Sequence, residues 1–212
     1  MPYKKAGRNF RRNKLRKIVF ATENKGKLRE LKALLAESEM AVLSLSDYPH
    51  APAIIEDGKT FFENALKKAR IVSEYTGEMV IADDSGLEVD FLEGRPGIHS
   101  ARYSGPDADD EKNIQRLLQE LKDVPIEKRG AAFKCVLVLY NPDGIFESFE
   151  GTLRGEIAVS PAGSEGFGYD PVFIVPEYGR TVAEISPDIK NKISHRAEAF
   201  KKLKKSLQQH VK

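Results

Sequence analysis

The sequence predicts an α/β fold, an elongated, mixed and twisted sheet with flanking helices that form two lobes around a central cleft. Three observations predict it. Apolar runs of strand length alternate with segments of helical period from Ile18 to Lys122. From Ala131 the texture changes to long strands paired across tight turns. No repeat, low-complexity tract or obvious linker divides the chain, so residues 18–212 read as a single domain preceded by a basic tail, residues 1–17.

In chain order, Ile18 to Ala21 (IVFA) reads as a buried strand, and Lys27 to Glu37 as a helix with Leu28, Leu31, Leu34 and Leu35 on one face. Ser44 to Ala53, rich in Ser, Pro and Ala, reads as a loop. Thr60-Phe-Phe-Glu63 is a capping-box pattern that opens a helix carrying Phe62, Ala65, Leu66, Ala69 and Val72 and ending near Gly77. Met79 to Ala82 (MVIA) is a second buried strand. Asp109 to Lys122 is a third helix, with Ile114, Leu117, Leu118 and Leu121 inward and Pro125 beyond its end. Ala131 to Tyr140 and Ile145 to Val159 flank the turn Asn141-Pro-Asp-Gly144 as antiparallel partners. Phe167 to Val175 adds another strand, and a helix from His195 places Phe200, Leu203, Leu207 and Val211 along one side.

Bulk properties narrow the class. With 212 residues and 41% apolar content, the chain can bury a sizeable core. No apolar run approaches the roughly 20 residues that span a bilayer. The single cysteine, Cys135, lies inside an apolar run; this excludes a disulfide framework and suits a reducing, cytoplasmic setting, with the thiol as a small buried hydrophobe. The net charge of +2 conceals an asymmetry: residues 1–17 hold eight Lys and Arg and no acid, leaving a body with 26 basic and 32 acidic residues. The tail lacks interleaved aromatic stacking platforms, so a solvated extension is the simpler reading and nucleic acid is not the expected partner.

Four stretches carry chemistry. Ala21-Thr-Glu-Asn-Lys-Gly-Lys-Leu28 puts amide, hydroxyl and ammonium donors at a helix N-terminus, where anions are favoured. It nearly fits the phosphate loop GxxxxGK[ST], but Ala21 replaces the first glycine and Leu28 the metal-holding hydroxyl, which removes that loop's mechanics and the kinase reading. What survives is Thr22, Asn24 and Lys27 as phosphate donors, or Thr22 or Asn24 as an ordinary helix cap. After the strand VIA come Asp83, Asp84, Ser85 and Gly86, where such folds place ligands. Side chains alternate along a strand, so one carboxylate can face a cleft and hold a divalent ion while the other serves a neighbour; turn capping is the competing role. Glu56 is a candidate second ligand, whereas the capping box accounts for Glu63. Phe167-Gly-Tyr-Asp170, preceded by Gly163 and Gly166, suits stacking on a flat base and bonding to its edge, or core packing. Finally, Lys190 and Ser194-His195-Arg196 set a cation and an imidazole at a helix N-terminus, against the dipole, a conflict that hints at an anion or base edge there.

Taken in order, Thr22 to Lys27, Glu56 with the TFxENAxxKA pattern from Thr60 to Ala69, Asp83 to Leu87, Gly94 to Arg102, Phe167 to Pro171 and Ser194 to Arg196 resemble the inosine triphosphate pyrophosphatase family over about nine tenths of the chain. The resemblance implies hydrolysis of deaminated purine nucleoside triphosphates (ITP, dITP, XTP) to the monophosphate and pyrophosphate. It implies that Thr22, Glu23, Asn24, Lys25, Gly26 and Lys27 form a triphosphate loop and that Ser85 touches substrate. Asp84 is then proton acceptor and metal ligand, with Glu56 as the second metal ligand and Asp83 nearby in support. Phe167, Gly168, Tyr169 and Asp170 bind the base, and Lys190, His195 and Arg196 supply the remaining contacts. The implied cofactor is Mg2+, with Mn2+ as the alternative, and the implied assembly is a homodimer. Two rivals stand beside this reading: a Maf-like pyrophosphatase acting on dTTP or UTP, and a non-catalytic RNA-binding module led by the basic tail.

Overall fold

The computed structural model describes residues 16–35 and 40–209. Among them lie β1 (Arg16–Phe20), α1 (Lys25–Leu35), β2 (Met40–Ser44), α2 (Phe61–Thr76), β3 (Met79–Val89) and α3 (Asp110–Glu120). Then follow β4 (Gly130–Tyr140), β5 (Phe146–Ile157), β6 (Phe173–Val175), β7 (Arg180–Thr181), α4 (Pro187–Ile193) and α5 (His195–Gln209). The strands form one mixed sheet in the order β2-β1-β3-β4-β5-β6-β7. β1 runs parallel to β2 and β3, and every later pair is antiparallel. The expected α/β architecture is therefore present.

Several boundaries differ from the sequence reading. β2 occupies a stretch to which the sequence reading gave no element and meets the expected loop only at Ser44, because a four-residue apolar run (Met40 to Leu43) is too short to declare its type by period. β1 takes in Arg16 and Lys17, which the sequence assigns to the basic tail; residues 1–15, the helix end at Glu37 and Val211 lie outside the described residues. Phe167 to Val172 is not strand. Gly166 and Gly168 adopt φ of 84° and 62° and Asp170–Val172, with Pro171 inside it, forms a short 3-10 turn, so only Phe173–Val175 joins the sheet. The capping box of α2 forms with a shift: the Thr60 hydroxyl accepts from Glu63 N–H at 3.1 Å, while the Glu63 carboxylate accepts from Lys59 N–H at 2.6 Å. Gly77 ends the helix at φ 68°.

Strand periodicity splits the core. Ile18, Phe20, Ile81, Leu137 and Leu139 face α1 and α5, whereas Val19, Ala21, Val80, Ala82, Val136 and Val138 face α2. A third apolar cluster, built on Leu87, Val89, Phe133, Ile157, Phe173 and the inner face of α3, fills the far end of the sheet. Between these lobes, β3 changes its neighbours. Its ladder with β1 stops at Phe20 opposite Ile81, yet β3 continues beside β4 as far as Val89. Asp83 and Asp84 thus lie inside a strand rather than in the turn after one, just past the carboxyl end of β1, and a crevice opens there.

Asp83 and Ser85 share the face turned to α1 and α5. The Asp83 carboxylate is fully buried and pairs with Lys27 of α1 and, at 2.9 Å, with Arg196 Nε of α5. It also accepts from Ser85 Oγ at 3.0 Å and from the Cys135 thiol at 3.2 Å. Burial alone would lift its pKa, but the neighbouring charges of Arg196 and Lys27 more than reverse this and hold it well below the usual carboxylate range. Cys135 is buried, as expected, and its thiol is pushed up by burial and by Asp83. The start of α5 is further fixed by β5: a methyl on Gly151 would collide with the backbone oxygen of His195 and approach Ala199 N to 2.6 Å, and Thr152 N–H donates to Glu198 at 2.8 Å.

Two outcomes are expected. Gly151→Ala overpacks the β5–α5 contact and should lower the unfolding free energy, read from urea melts, by about 1–3 kcal/mol. Asp83→Asn leaves Lys27 and Arg196 short of a buried counter-charge and should cost about 3–5 kcal/mol at pH 7. Because the folded-state pKa of Asp83 is depressed, its stabilisation is complete above the unfolded value of about 3.9 and is lost as pH falls below it. Urea melts at pH 7 and pH 3 should show the gap between wild type and Asp83→Asn narrowing at the lower pH.

Candidate active site

The turn between β1 and α1 is a helix cap first. Thr22 Oγ1 accepts from Asn24 N–H at 3.1 Å, and Asn24 Oδ1 accepts from the N–H groups of Gly26 at 2.9 Å and Lys27 at 3.0 Å. With their oxygens so engaged, these side chains keep the Thr22 hydroxyl proton and the Asn24 amide as donors. Thr22, Glu23, Asn24 and Lys27 line a cavity of about 440 Å3 with Ala51–Ile54, Glu56 and Lys68. Asn24, Lys27 and Glu56 also line an adjoining cavity of about 190 Å3 that reaches Asp84, Ser85, Phe167, Tyr169, Lys190, His195 and Arg196. Of the sequence-selected loop, only Lys25 and Gly26 line neither cavity. Lys25 is exposed, and Gly26 is buried under Phe167, whose ring a Cβ at this position would approach to 2.6 Å.

Asp84, on the opposite face of β3 from Asp83, points to α2. Lys68 Nζ lies 3.4 Å from Asp84 Oδ1 and 2.8 Å from Glu56 Oε1, bridging the two carboxylates proposed as metal ligands. Asn64 Nδ2 donates to Asp84 Oδ2 at 3.2 Å, while Asn64 Oδ1 accepts from Gly58 N–H at 2.8 Å and so anchors the loop that carries Glu56. Burial raises the Asp84 pKa, with Lys68 and Lys27 pulling it down and Glu56 and Asp83 pushing it up; the balance lies above the ordinary value. Lys68 keeps its charge: burial works against it, but Asp84 and Glu56 outweigh that cost. Two carboxylates gathered around one cation are a donor set that suits a hard divalent ion.

The far wall is aromatic. Lys190 Nζ sits 4.6 Å above the Phe167 ring and Arg196 Cζ 5.8 Å from it. Lys190 is bound to Glu30 at 2.7 Å and Asp170 at 2.5 Å, which places it beside the base segment rather than beside the Thr22–Lys27 loop. Tyr169 is core, its hydroxyl donating to Ser100 O at 2.9 Å, so Phe167 is the ring left partly open to the cleft. Asp170 closes its own turn by accepting from Phe167 N–H at 2.9 Å, and burial lifts its carboxyl despite Lys190. His195 stacks on Phe133 at 5.0 Å and 19°, and its Nδ1 is buried with no partner among the described residues.

The helix-dipole conflict expected at Ser194-His195-Arg196 is settled by carboxylates. Arg196 pairs with Glu30 and Asp83, and donates to Ser85 Oγ at 2.9 Å. Burial, together with the charge of Arg196, holds the His195 pKa well below its usual value, so the imidazole is neutral at pH 7. Sequence reasoning passed over Glu30, and took in Asn64, Lys68 and Arg102 only as parts of the Thr60–Ala69 and Gly94–Arg102 motifs, with no role of their own. Lys68 and Asn64 left a signal, being polar residues four apart on the same helical face as Ala65, Ala69 and Val72. Arg102 ends the short helical turn Gly97–Arg102 and donates to Glu56 O at 3.3 Å, across the cleft mouth.

Residues 18–206 match the model of the Ham1 family. The chain is 52% identical over 191 residues to the dITP/XTP pyrophosphatase of Geobacter sulfurreducens, covering 90% of this chain and 96% of the relative. It is 47% identical over 194 residues to that of Bacillus subtilis, covering 92% and 98%. Among solved structures, a HAM1 protein from Coxiella burnetii superposes with a TM-score of 0.84 at 41% identity, covering 92% of this chain and all of that one. The nucleoside-triphosphatase / dITP/XTP pyrophosphatase of Mycobacterium abscessus gives 0.73 at 44% identity, covering 88% and 98%. With the same sheet, the same order of motifs and a match over most of its length, this chain belongs to the Ham1 family.

Proposed function

We propose that this protein hydrolyses deaminated purine nucleoside triphosphates, dITP, XTP and ITP, to the monophosphate and pyrophosphate. One observation carries the reading: a continuous pair of cavities brings the Thr22–Lys27 loop, the Glu56–Asp84 pair and the Phe167 platform together. The names of the relatives point to the same chemistry.

In this reading the base lies on Phe167, near the neutral His195 that lines the same cavity. A 6-oxo purine presents an acceptor where adenine presents a donor, and a buried polar group left unmatched costs several kcal/mol. Thr22, Asn24 and Lys27 hold phosphate oxygens. Asp84 takes a proton from the water that attacks the α-phosphorus, as the bond to the bridging oxygen breaks and pyrophosphate leaves. In the metal-free protein burial raises its pKa above the ordinary carboxylate value. Glu56 and Asp84 would hold Mg2+, or Mn2+ in its place, which when bound supplies charge neutralisation at the phosphates. Lys68 positions both carboxylates. The catalytic unit takes in β1 from Arg16 onward, so Arg16 and Lys17 of the basic tail belong to it. A homodimer and a cytoplasmic setting complete the reading, supported by the family resemblance and the lone buried cysteine. No helix among the described residues is long and apolar enough to cross a membrane. The Maf-like and RNA-binding alternatives are not favoured, because the family match spans the chain and takes in the Phe167 segment.

Turnover of dITP, XTP, ITP, dATP, GTP, dTTP and UTP, read as pyrophosphate against orthophosphate, tests the assignment. The first three are expected to give pyrophosphate at rates far above the rest, and preferential hydrolysis of dTTP or UTP would overturn it. Asp84→Asn should lower kcat by about 10²–10⁴-fold with the thermal midpoint preserved. The acid limb of kcat/KM should report protonation of Asp84, since Asp84 acts in its ionised form, and should be lost together with the activity in Asp84→Asn.

A further inference from the structure

The charges along the cleft are unevenly committed. Four of the cations that line the two cavities face carboxylates: Lys27 meets Asp83, Lys68 meets Glu56 and Asp84, and Lys190 and Arg196 share Glu30 while each holds a second acid. Those four cations stand against five carboxylates, which leaves no surplus positive charge for a polyphosphate. Arg102 is the exception. It lines the smaller cavity, is exposed at the mouth, and has no carboxylate within 4.0 Å among the described residues; one of its N–H groups donates to the backbone oxygen of Glu56 at 3.3 Å.

That contact also fixes where the guanidinium sits. Glu56 O belongs to the residue whose side chain reaches Lys68 and lies beside Asp84, so Arg102 hangs over the acid pair from the wall that the Gly97–Arg102 turn provides. Ser100, in the same turn, pins it to β3 by accepting from Leu87 N–H at 2.9 Å and donating to Gly97 O at 2.6 Å. Guanidinium is a planar fork that matches phosphate oxygens two at a time, and four of its N–H bonds remain for a ligand after one goes to Glu56 O.

We propose that Arg102 is a substrate-binding residue that grips the phosphate oxygens of the triphosphate and of the departing pyrophosphate, opposite the Thr22–Lys27 loop. The proposal rests on the pyrophosphatase reading for its substrate. It concerns a residue in the Gly94–Arg102 segment, to which that reading gives no role.

The test is a steady-state comparison of wild type, Arg102→Gln and Arg102→Lys at saturating Mg2+, with dITP as substrate and inorganic pyrophosphate as inhibitor. For Arg102→Gln, the KM for dITP and the inhibition constant of pyrophosphate should both rise at least tenfold, with a smaller change in kcat. Arg102→Lys, which keeps the charge without the fork, should recover part of the loss. Constants within twofold of wild type in Arg102→Gln would overturn the proposal. So would a defect that disappears when Mg2+ is raised tenfold, because Arg102 would then act only by propping the Glu56 loop. If wild type releases no pyrophosphate from dITP, the activity reading falls on its own. Pyrophosphate stabilisation of wild type against Arg102→Gln, measured by thermal shift, then decides Arg102: a weaker shift in the variant supports it, and equal shifts or none overturn it.

Discussion

The Asp83 carboxylate is the point on which the cleft is hung. It is buried and bound by Lys27 from α1 and Arg196 from α5, segments that lie at opposite ends of the chain. A buried ion pair contributes little net stability relative to a well-packed apolar substitute, because desolvation offsets most of the attraction. What it fixes here is position. With α1 drawn to one carboxylate oxygen, the Asn24 cap faces the crevice; with α5 drawn to the other, His195 is carried onto Phe133 and Arg196 bonds Ser85 Oγ.

A second consequence concerns how the cleft treats anions. Most of its cations already have carboxylate partners, so it offers a phosphate chain a pre-organised but nearly neutral environment. Binding then depends on exchange, in which ammonium and amide groups turn from protein oxygens to substrate oxygens. Such a site discriminates against anions that cannot satisfy all of its donors together, since a partly matched network leaves buried charge exposed to a low dielectric. Phe167 belongs to the same network, because Gly26, bare of a side chain, lets its ring lie against the first turn of α1.

Much of this was legible in the sequence. The helical periods around Leu31, Ala65 and Leu117, the capping box at Thr60 and the hairpin at Asn141 each obey local rules, and the structure follows them. The adjacency of Asp83 and Asp84 also announced two roles through strand alternation. What the sequence left hidden was long-range. Nothing local says that β3 outruns β1, so the strand was ended at Ala82 and turn capping stayed open for Asp83 and Asp84 as a competing role. Nothing local says that the acid at Glu30 neutralises both Lys190 and Arg196, so a helix start that looked electrostatically strained is in fact compensated from α1. Lys68 was visible as a lysine on an apolar face, but its meaning required knowing which carboxylates stood opposite.

The extension of β3 past its parallel neighbour has a further consequence. Because the pleat has a period of two, parity alone decides which acid of the Asp83–Asp84 pair is the girder and which is left to the crevice. An odd-numbered insertion or deletion upstream in β3 would therefore exchange the two trades without altering composition, while an even one would preserve them. The dipeptide is thus a small frame-sensitive code, and its message is written by strand registry rather than by the identity of either letter.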